Sequence, residues 1–279
     1  MCVYNTTKLK LIFSVLIYVT NIYIGSNMAS PLIINIEGNI GTGKSTILQK
    51  LQDEFNIHHK GKVLFLKEPV DKWDTIKDGN DTTILKHFYQ DSTKYAFPFQ
   101  IMACCTRIAN VKNAIKNNPN CKVVICERSI EADANIFAKM LHDDGVMNEM
   151  EYKIYNLFYN EHKELYQPTG YVYLDTNADV CLERIKKRSR DGEATIALEY
   201  LQRCQTYHDT WLKNKELKTP VLVLDTNKDV NYSKDEGGAW ITKISDFVTE
   251  QLNKHDMNES RKHDLPVVEH EWMIDIPMY

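Results

Sequence analysis

Residues 36–46 read IEGNIGTGKST, and no other stretch limits the fold as much. The spacing Gly38-x-x-x-x-Gly43-Lys44-Ser45 follows a β-branched run (LIINI, 32–36). It precedes a helical pattern that puts Ile47, Leu48, Leu51 and Phe55 on one face. Strand, glycine-rich turn and helix in that order make a phosphate-binding loop. Glycines let backbone N–H groups close around phosphate oxygens, and the helix N-terminus adds positive potential. Lys44 can reach the β- and γ-phosphates, and the Ser45 hydroxyl can hold Mg²⁺. Asn39, Ile40, Gly41, Thr42 and Thr46 complete the loop. The motif specifies a phosphate donor and leaves the acceptor open.

Four further short β-branched runs follow: KVLFLKE (62–68), KVVICE (122–127), YVYLD (171–175) and VLVLD (221–225). Helical stretches separate them, which predicts a five-stranded parallel sheet with helices on both faces. Ligands then sit at the carboxyl ends of the strands. Each run ends at or near an acidic residue: Glu37, Glu68, Glu127, Asp175 and Asp225. The usual α/β order predicts the strand ending at Glu68 next to the phosphate-loop strand. The string LDTN-x-DV at 174–180 and 224–230 reads as two strand ends turning toward helices, not as an internal repeat.

The 279 residues, 43% apolar and 26% charged, suffice for one sizeable core. A net charge of −4 provides no global basic field for nucleic acid or an anionic membrane. Seven cysteines without a Cys-x-x-Cys pair indicate reduced thiols, not a disulfide framework or zinc site. Residues 1–28 form an N-terminal extension. Lys8 and Lys10 precede the apolar run LIFSVLIYVTNIYI (11–24), which is short for a bilayer span. An upstream start or passive tail is the favoured reading, with a targeting segment or membrane anchor as the alternative. A cytoplasmic protein is therefore expected, with an organelle or membrane surface the alternative. The main domain is expected over 29–252 and a C-terminal extension over 253–279.

The acceptor side begins at KEPVDKW (67–73). A strand-end carboxylate at Glu68 could take a proton from an attacking hydroxyl. Trp73 offers a flat face to a planar ligand. In FPFQIMACCTR (97–107), Gln100 and Arg107 are seven apart, hence on one helix face beside Phe99. In ERSIEADANIF (127–137), Glu127 could hold Mg²⁺ or its waters, and the Arg128 guanidinium could contact a transferring phosphoryl group. Asp133 and Phe137 fall four apart on the next helix. Each of these residues alone also has a bland structural reading: a core aromatic, a buried amide or a surface arginine. The basic stretch RIKKRSR (184–190) reads equally as a solvated helix face.

Taken together, the segments EGNIGTGKST, EPVDKW, PFQ-x-x-x-C-x-x-R, ERS-x-x-x-D-x-x-x-F and ERIKKRSRDGE-x-x-I-x-LEYL resemble the deoxynucleoside kinase family, most of all its deoxycytidine/deoxyguanosine kinase branch. They occur in family order over some four-fifths of the chain. The resemblance implies a P-loop kinase fold with an arginine-rich lid, ATP with Mg²⁺, and a homodimer. It implies that Glu68 is the general base on the 5′-hydroxyl and that Arg128 steadies that hydroxyl and the incoming phosphate. Tyr89 and Glu193 would hold the 3′-hydroxyl. Trp73, Phe88, Phe99 and Phe137 would enclose the base, and Gln100 would bond its edge. Arg184, Arg188 and Arg190 would lie over the ATP phosphates, with Asp225 and Asp229 near its adenine. Ala197 stands directly before Leu198, where the family often has proline.

In that branch Arg107 and Asp133 close the deep end of the base pocket. An aspartate accepts from an exocyclic amino group or aims the arginine, which donates to ring acceptors. Thymine would present O4 and a methyl group there, and unpaired polar groups reject the wrong ligand. Deoxycytidine, deoxyadenosine and deoxyguanosine are thus expected over thymidine. A broad-specificity or thymidine-preferring kinase, a nucleoside-monophosphate kinase, a nucleotide-dependent switch and a non-catalytic subunit of the same fold are the competing readings.

Overall fold

The computed structural model describes residues 30–58, 62–190, 192–230, 232 and 236–263. The N-terminal extension over 1–28 and residues 264–279 lie outside them. Five strands form one parallel sheet: β1 (Leu32–Gly38), β2 (Val63–Leu66), β3 (Val123–Glu127), β4 (Gly170–Asp175) and β5 (Val221–Asp225). Their order is β2-β3-β1-β4-β5. This corrects one expectation. The strand leading to Glu68 does not adjoin the phosphate-loop strand, because β3 lies between them. Adjacency in a parallel sheet is set by the path of the crossover helices, which strand composition does not encode.

Helix α1 (Lys44–His58) springs directly from the phosphate loop. Its Ile47, Leu48, Leu51 and Phe55 are buried against Leu32, Ile34 and Ile36 of β1, with Trp240, Ile244 and Val248 of the last helix in the same cluster. The opposite face of β1 and β3 presents Ile33, Val124 and Cys126 to Val111 and Ile115. These belong to the long helix α4 (Ser92–Asn117), which follows the short helices α2 (Val70–Trp73) and α3 (Ile84–Gln90). β1 and β3 are therefore buried on both faces, with Asn35, Glu37 and Glu127 as the buried polar exceptions in otherwise apolar strands.

After β3, helix α5 spans 130–143. Its central segment Asp133–Ala138 is π-helical. One extra residue per turn there re-aims the side chains of that face, a feature common at functional sites. Helix α6 (Glu149–Lys163) opens with a capping box in which Asn148 and Glu151 satisfy each other's backbone groups. Helix α7 (Ala178–Arg188) follows β4 and ends on Ser189 in the left-handed conformation. Helix α8 is Leu198–Leu212. Helix α9 is Glu236–His263, so it runs unbroken through residue 253. Of the six described cysteines, all free, only Cys105 is exposed. Among the described residues no helix is long and apolar enough to cross a membrane.

Candidate active site

Two connected hollows open at the carboxyl end of the sheet, separated by the phosphate loop. Glycine is required in that loop for a steric reason: a Cβ on Gly41 would stand 2.6 Å from the Cys181 carbonyl oxygen. Gly43 adopts φ +93°, which side-chain-bearing residues rarely tolerate. The Lys44 ammonium donates to the carbonyls of Gly38 at 3.0 Å and Asn39 at 2.6 Å. Burial, reinforced by the nearby Arg128 charge, pushes Lys44 down to about 7. The Ser45 hydroxyl donates to Glu127 Oε1 at 2.7 Å, bringing the loop and the end of β3 together.

The first hollow lies between the phosphate loop, α2, α3, α4 and α5. Glu68, Trp73, Phe88, Tyr89, Phe99, Gln100, Arg107, Arg128, Asp133, Phe137 and Glu193 all line it, with Lys44, Ser45 and Glu127 at its mouth. Its apolar walls are built as an aromatic set. Phe88 and Phe99 stack with centroids 4.7 Å apart, and Trp73 meets Phe99 edge-on at 5.5 Å. The Trp73 indole N–H is satisfied by Thr106 Oγ1 at 2.9 Å. Such an enclosure fits a flat ring. Gln100 is buried, and its Oε1 has no hydrogen-bond partner among the described groups. An orphan acceptor at that depth is costly unless a ligand donor meets it.

The floor is charged. Arg107 Nη1 donates to both oxygens of Asp133, and its Nη2 reaches Glu68 Oε1. Arg128 Nε stands 3.4 Å from the same Glu68 oxygen, and its guanidinium lies over the Phe137 ring at 4.9 Å. Burial alone would raise the Glu68 carboxyl. The charges of Arg107, Arg128 and Lys44 outweigh it and hold Glu68 below the usual carboxylate range. Burial pushes Asp133 up to about 6 against the pull of Arg107. Arg128 itself adopts φ +65°, a conformation that costs about 1–2 kcal/mol for a residue with a side chain.

The second hollow is lined by Gly41, Thr42, Gly43, Lys44, Ser45, Thr46, Arg184, Arg188, Arg190 and Asp229. Arg184 donates from Nη1 and Nη2 to the carbonyls of Thr226 and Lys228, both at 3.0 Å, and from Nε to Asp229 Oδ1 at 3.1 Å. It therefore clamps the turn after β5. Arg188 and Arg190 both reach the buried Glu193 carboxylate, at 2.5 and 3.3 Å. Gly192, at φ +85°, lets this segment pass over Lys86 of α3.

Two expected site residues sit differently. The Asp225 carboxylate accepts from the backbone N–H and side-chain amide of Asn227 and faces a separate hollow with Glu236 and Lys243. A strand-end aspartate caps its own turn when an amide follows two residues on. The side chain of Asn39 is likewise spent within the fold. Its Nδ2 donates to the Leu201 carbonyl at 2.7 Å, tying the phosphate loop to α8. Tyr200 and Lys187 line the two hollows without having been singled out, although both lie inside the quoted segment ERIKKRSRDGE-x-x-I-x-LEYL.

Comparison with known proteins agrees with this geometry. Residues 34–249 match the deoxynucleoside kinase family. The chain belongs to the deoxynucleoside kinase family. It is an ATP-dependent deoxynucleoside kinase, a phosphotransferase that binds a nucleoside and ATP. It is 32% identical over 246 residues to deoxycytidine kinase 2 of Gallus gallus, covering 77% of this chain and 90% of that protein. It is 31% identical over 247 residues to the deoxycytidine kinase of Homo sapiens, with the same coverage. It is 29% identical over 241 residues to the mitochondrial deoxyguanosine kinase of Xenopus laevis, covering 77% and 89%. In the kinase, the aromatic hollow and the phosphate-loop hollow meet at Lys44, Ser45 and Glu127, which line both or join them.

Proposed function

We propose that this kinase transfers the γ-phosphoryl group of ATP to the 5′-hydroxyl of deoxycytidine, deoxyadenosine or deoxyguanosine in preference to thymidine, as a salvage enzyme of the cytoplasm. The observation that carries the reading is the position of Glu68, ionised, in the one hollow that also holds the aromatic walls, the Arg107–Asp133 pair and Lys44.

In this reading the base slides between Phe88, Phe99, Trp73 and Phe137, with Gln100 on its edge and Arg107 and Asp133 at its deep end. Tyr89 and Glu193 receive the 3′-hydroxyl. Glu68 accepts the 5′-hydroxyl proton as the oxygen bonds to the γ-phosphorus and the bond to the β–γ bridging oxygen breaks, leaving ADP. Arg128 and Lys44 stabilise the charge on the transferring group, joined by Arg188 and Arg190 from the lid. Such transfers depend chiefly on positioning and charge.

The paired oxygens of Ser45 and Glu127 suit a hard cation that keeps several waters and borrows ligands from phosphate. No group of three or more His, Cys, Asp or Glu side chains that could hold a metal ion occurs among the described residues. When bound, Mg²⁺ neutralises the β- and γ-phosphates. Asp229 and the turn that Arg184 clamps border the adenine end of ATP. The kinase works as a homodimer through helices flanking the sheet. Exposed Met150, Ile154 and Leu157, on one face of α6, supply an apolar stripe for that contact. No nucleic acid is bound.

Product identification tests the reaction. Incubation of deoxycytidine with Mg²⁺ and γ-labelled ATP should label the 5′-monophosphate, and the 5′-deoxy analogue should remain unlabelled. A labelled analogue would remove the 5′-hydroxyl as acceptor.

A further inference from the structure

Glu37, the second residue of the IEGN segment, is wholly sealed from solvent, and nothing in the reaction described above uses it. An apolar side chain would fill that strand end at less cost, since a buried carboxyl loses its hydration. Burial pushes it up to about 7, opposed by the charges of Arg128 and Lys44 and by bonding to Ser129. What a carboxyl does there that an apolar group cannot is accept the Ser129 N–H, at 2.8 Å on Oε1.

That bond lies beside the strained residue. Arg128 sits at φ +65°, and both of the amides that flank it are anchored on consecutive residues of β1. The Arg128 N–H donates to the Ile36 carbonyl at 3.1 Å, and the next N–H along, that of Ser129, donates to Glu37. From this turn the guanidinium reaches back to Glu68 and over Phe137. Arg128 Nη1 and Glu37 Oε2 have no hydrogen-bond partner among the described groups. The guanidinium is thus aimed less by its own bonds than by the backbone beneath it.

We infer that Glu37 is the positioning residue of Arg128, its carboxyl holding the left-handed turn that points the guanidinium at Glu68 and the transferring phosphoryl group. The inference rests on the role proposed above for Arg128. An oxygen acceptor at the right distance is required, and a charge is not, because the carbonyl oxygen of a protonated carboxyl or of an amide also accepts an N–H.

The test uses the full chain with Glu37→Gln, Glu37→Asp and Glu37→Leu, each alone and with Arg128→Ala, and reads kcat and KM separately. Glutamine keeps the acceptor at its distance, and kcat should stay within about threefold of the parent. Aspartate keeps the charge but withdraws the oxygen by one methylene. It and leucine should lose about tenfold to a hundredfold in kcat, the scale of a small misplacement, with KM for ATP unchanged. In the Arg128→Ala background those losses should vanish. Wild-type kcat in Asp with a large loss in Gln would overturn the inference in favour of the charge. Losses that persist at full size without Arg128 would also overturn it. If Leu fails to fold, the Asp and Gln pair decides alone. Arg128→Ala with undiminished kcat would instead remove the proposed role of Arg128, and the inference with it, and is read from that single variant.

Discussion

Arg107 Nη1 donates to both carboxylate oxygens of Asp133 at 2.5 Å, with the two side chains nearly sealed from solvent. Removing Asp133 leaves the buried Arg107 with Glu68 as its remaining partner, and removing Arg107 leaves Asp133 with none among the described residues; breaking such a buried pair typically costs about 3–5 kcal/mol. Asp133→Ala should therefore lower the melting temperature as well as turnover of deoxycytidine. Combining it with Arg107→Met should restore much of the melting temperature and relax discrimination against thymidine. Thermal melts and rates with each nucleoside check both parts. A double variant less stable than the single would contradict the pairing.

Glu68 is held below the usual carboxylate range by Arg107, Arg128 and Lys44, which outweigh its burial. Asp133 and Tyr89 are the other titratable groups that sense its charge. A depressed carboxyl keeps its basic form as pH falls until its own lowered value is reached. The Glu68-dependent limb of kcat/KM should thus fall on the acid side of the ordinary carboxylate value of about 4.3. A limb centred near neutrality that disappears in Glu68→Gln would contradict this.

Much of this architecture was readable in advance, and the gaps have identifiable causes. All five strands lie within two residues of the β-branched runs. The central β1, β3 and β4 are buried and admit few polar residues, while the edge strands β2 and β5 are only partly buried. Of the residues lining the aromatic hollow, Glu68, Gln100, Arg107, Arg128, Asp133 and Phe137 were legible from strand ends and helical spacings, whereas Phe88, Tyr89 and Glu193 came only from the family resemblance. The sheet order was not readable, since β2 joins through β3 to a strand that precedes both. Asp225 and Asn39 look like ligands in one dimension but spend their side chains on a turn and on α8. Glu37 showed only as a strand-end acid. Its meaning depends on the φ of a residue 91 positions later, as the difference between 37 and 128 gives.

Ser45 and Glu127 share a hydrogen bond at the junction of the two hollows. Ser45→Ala should raise the Mg²⁺ concentration for half-maximal activity, and Glu127→Gln should do so too, while saturating Mg²⁺ recovers more activity in the first. Titrating activity against Mg²⁺ at fixed ATP measures the shift. Unchanged midpoints in both variants would remove this pair from the cation site.

Burial pushes Glu131 up to about 8, and repulsion by Glu37 and Asp133 adds to this. A carboxyl raised on folding contributes its full stability below its unfolded value and loses it as pH rises through the folded one. Glu131→Gln should therefore match the parent near pH 4, and should gain melting temperature relative to it as pH rises to 8. A constant difference across that range would contradict the assignment.

The most direct test of the whole account compares phosphorylation of deoxycytidine, deoxyadenosine, deoxyguanosine and thymidine with Mg²⁺-ATP, by the parent and by Glu68→Gln. The account predicts turnover of the first three above thymidine, and a drop of about 10²–10⁴ in the variant with ATP binding intact, the range for loss of a general base. Thymidine as the best substrate would contradict the reading of Arg107 and Asp133, and undiminished turnover in Glu68→Gln would contradict the reading of the catalytic base.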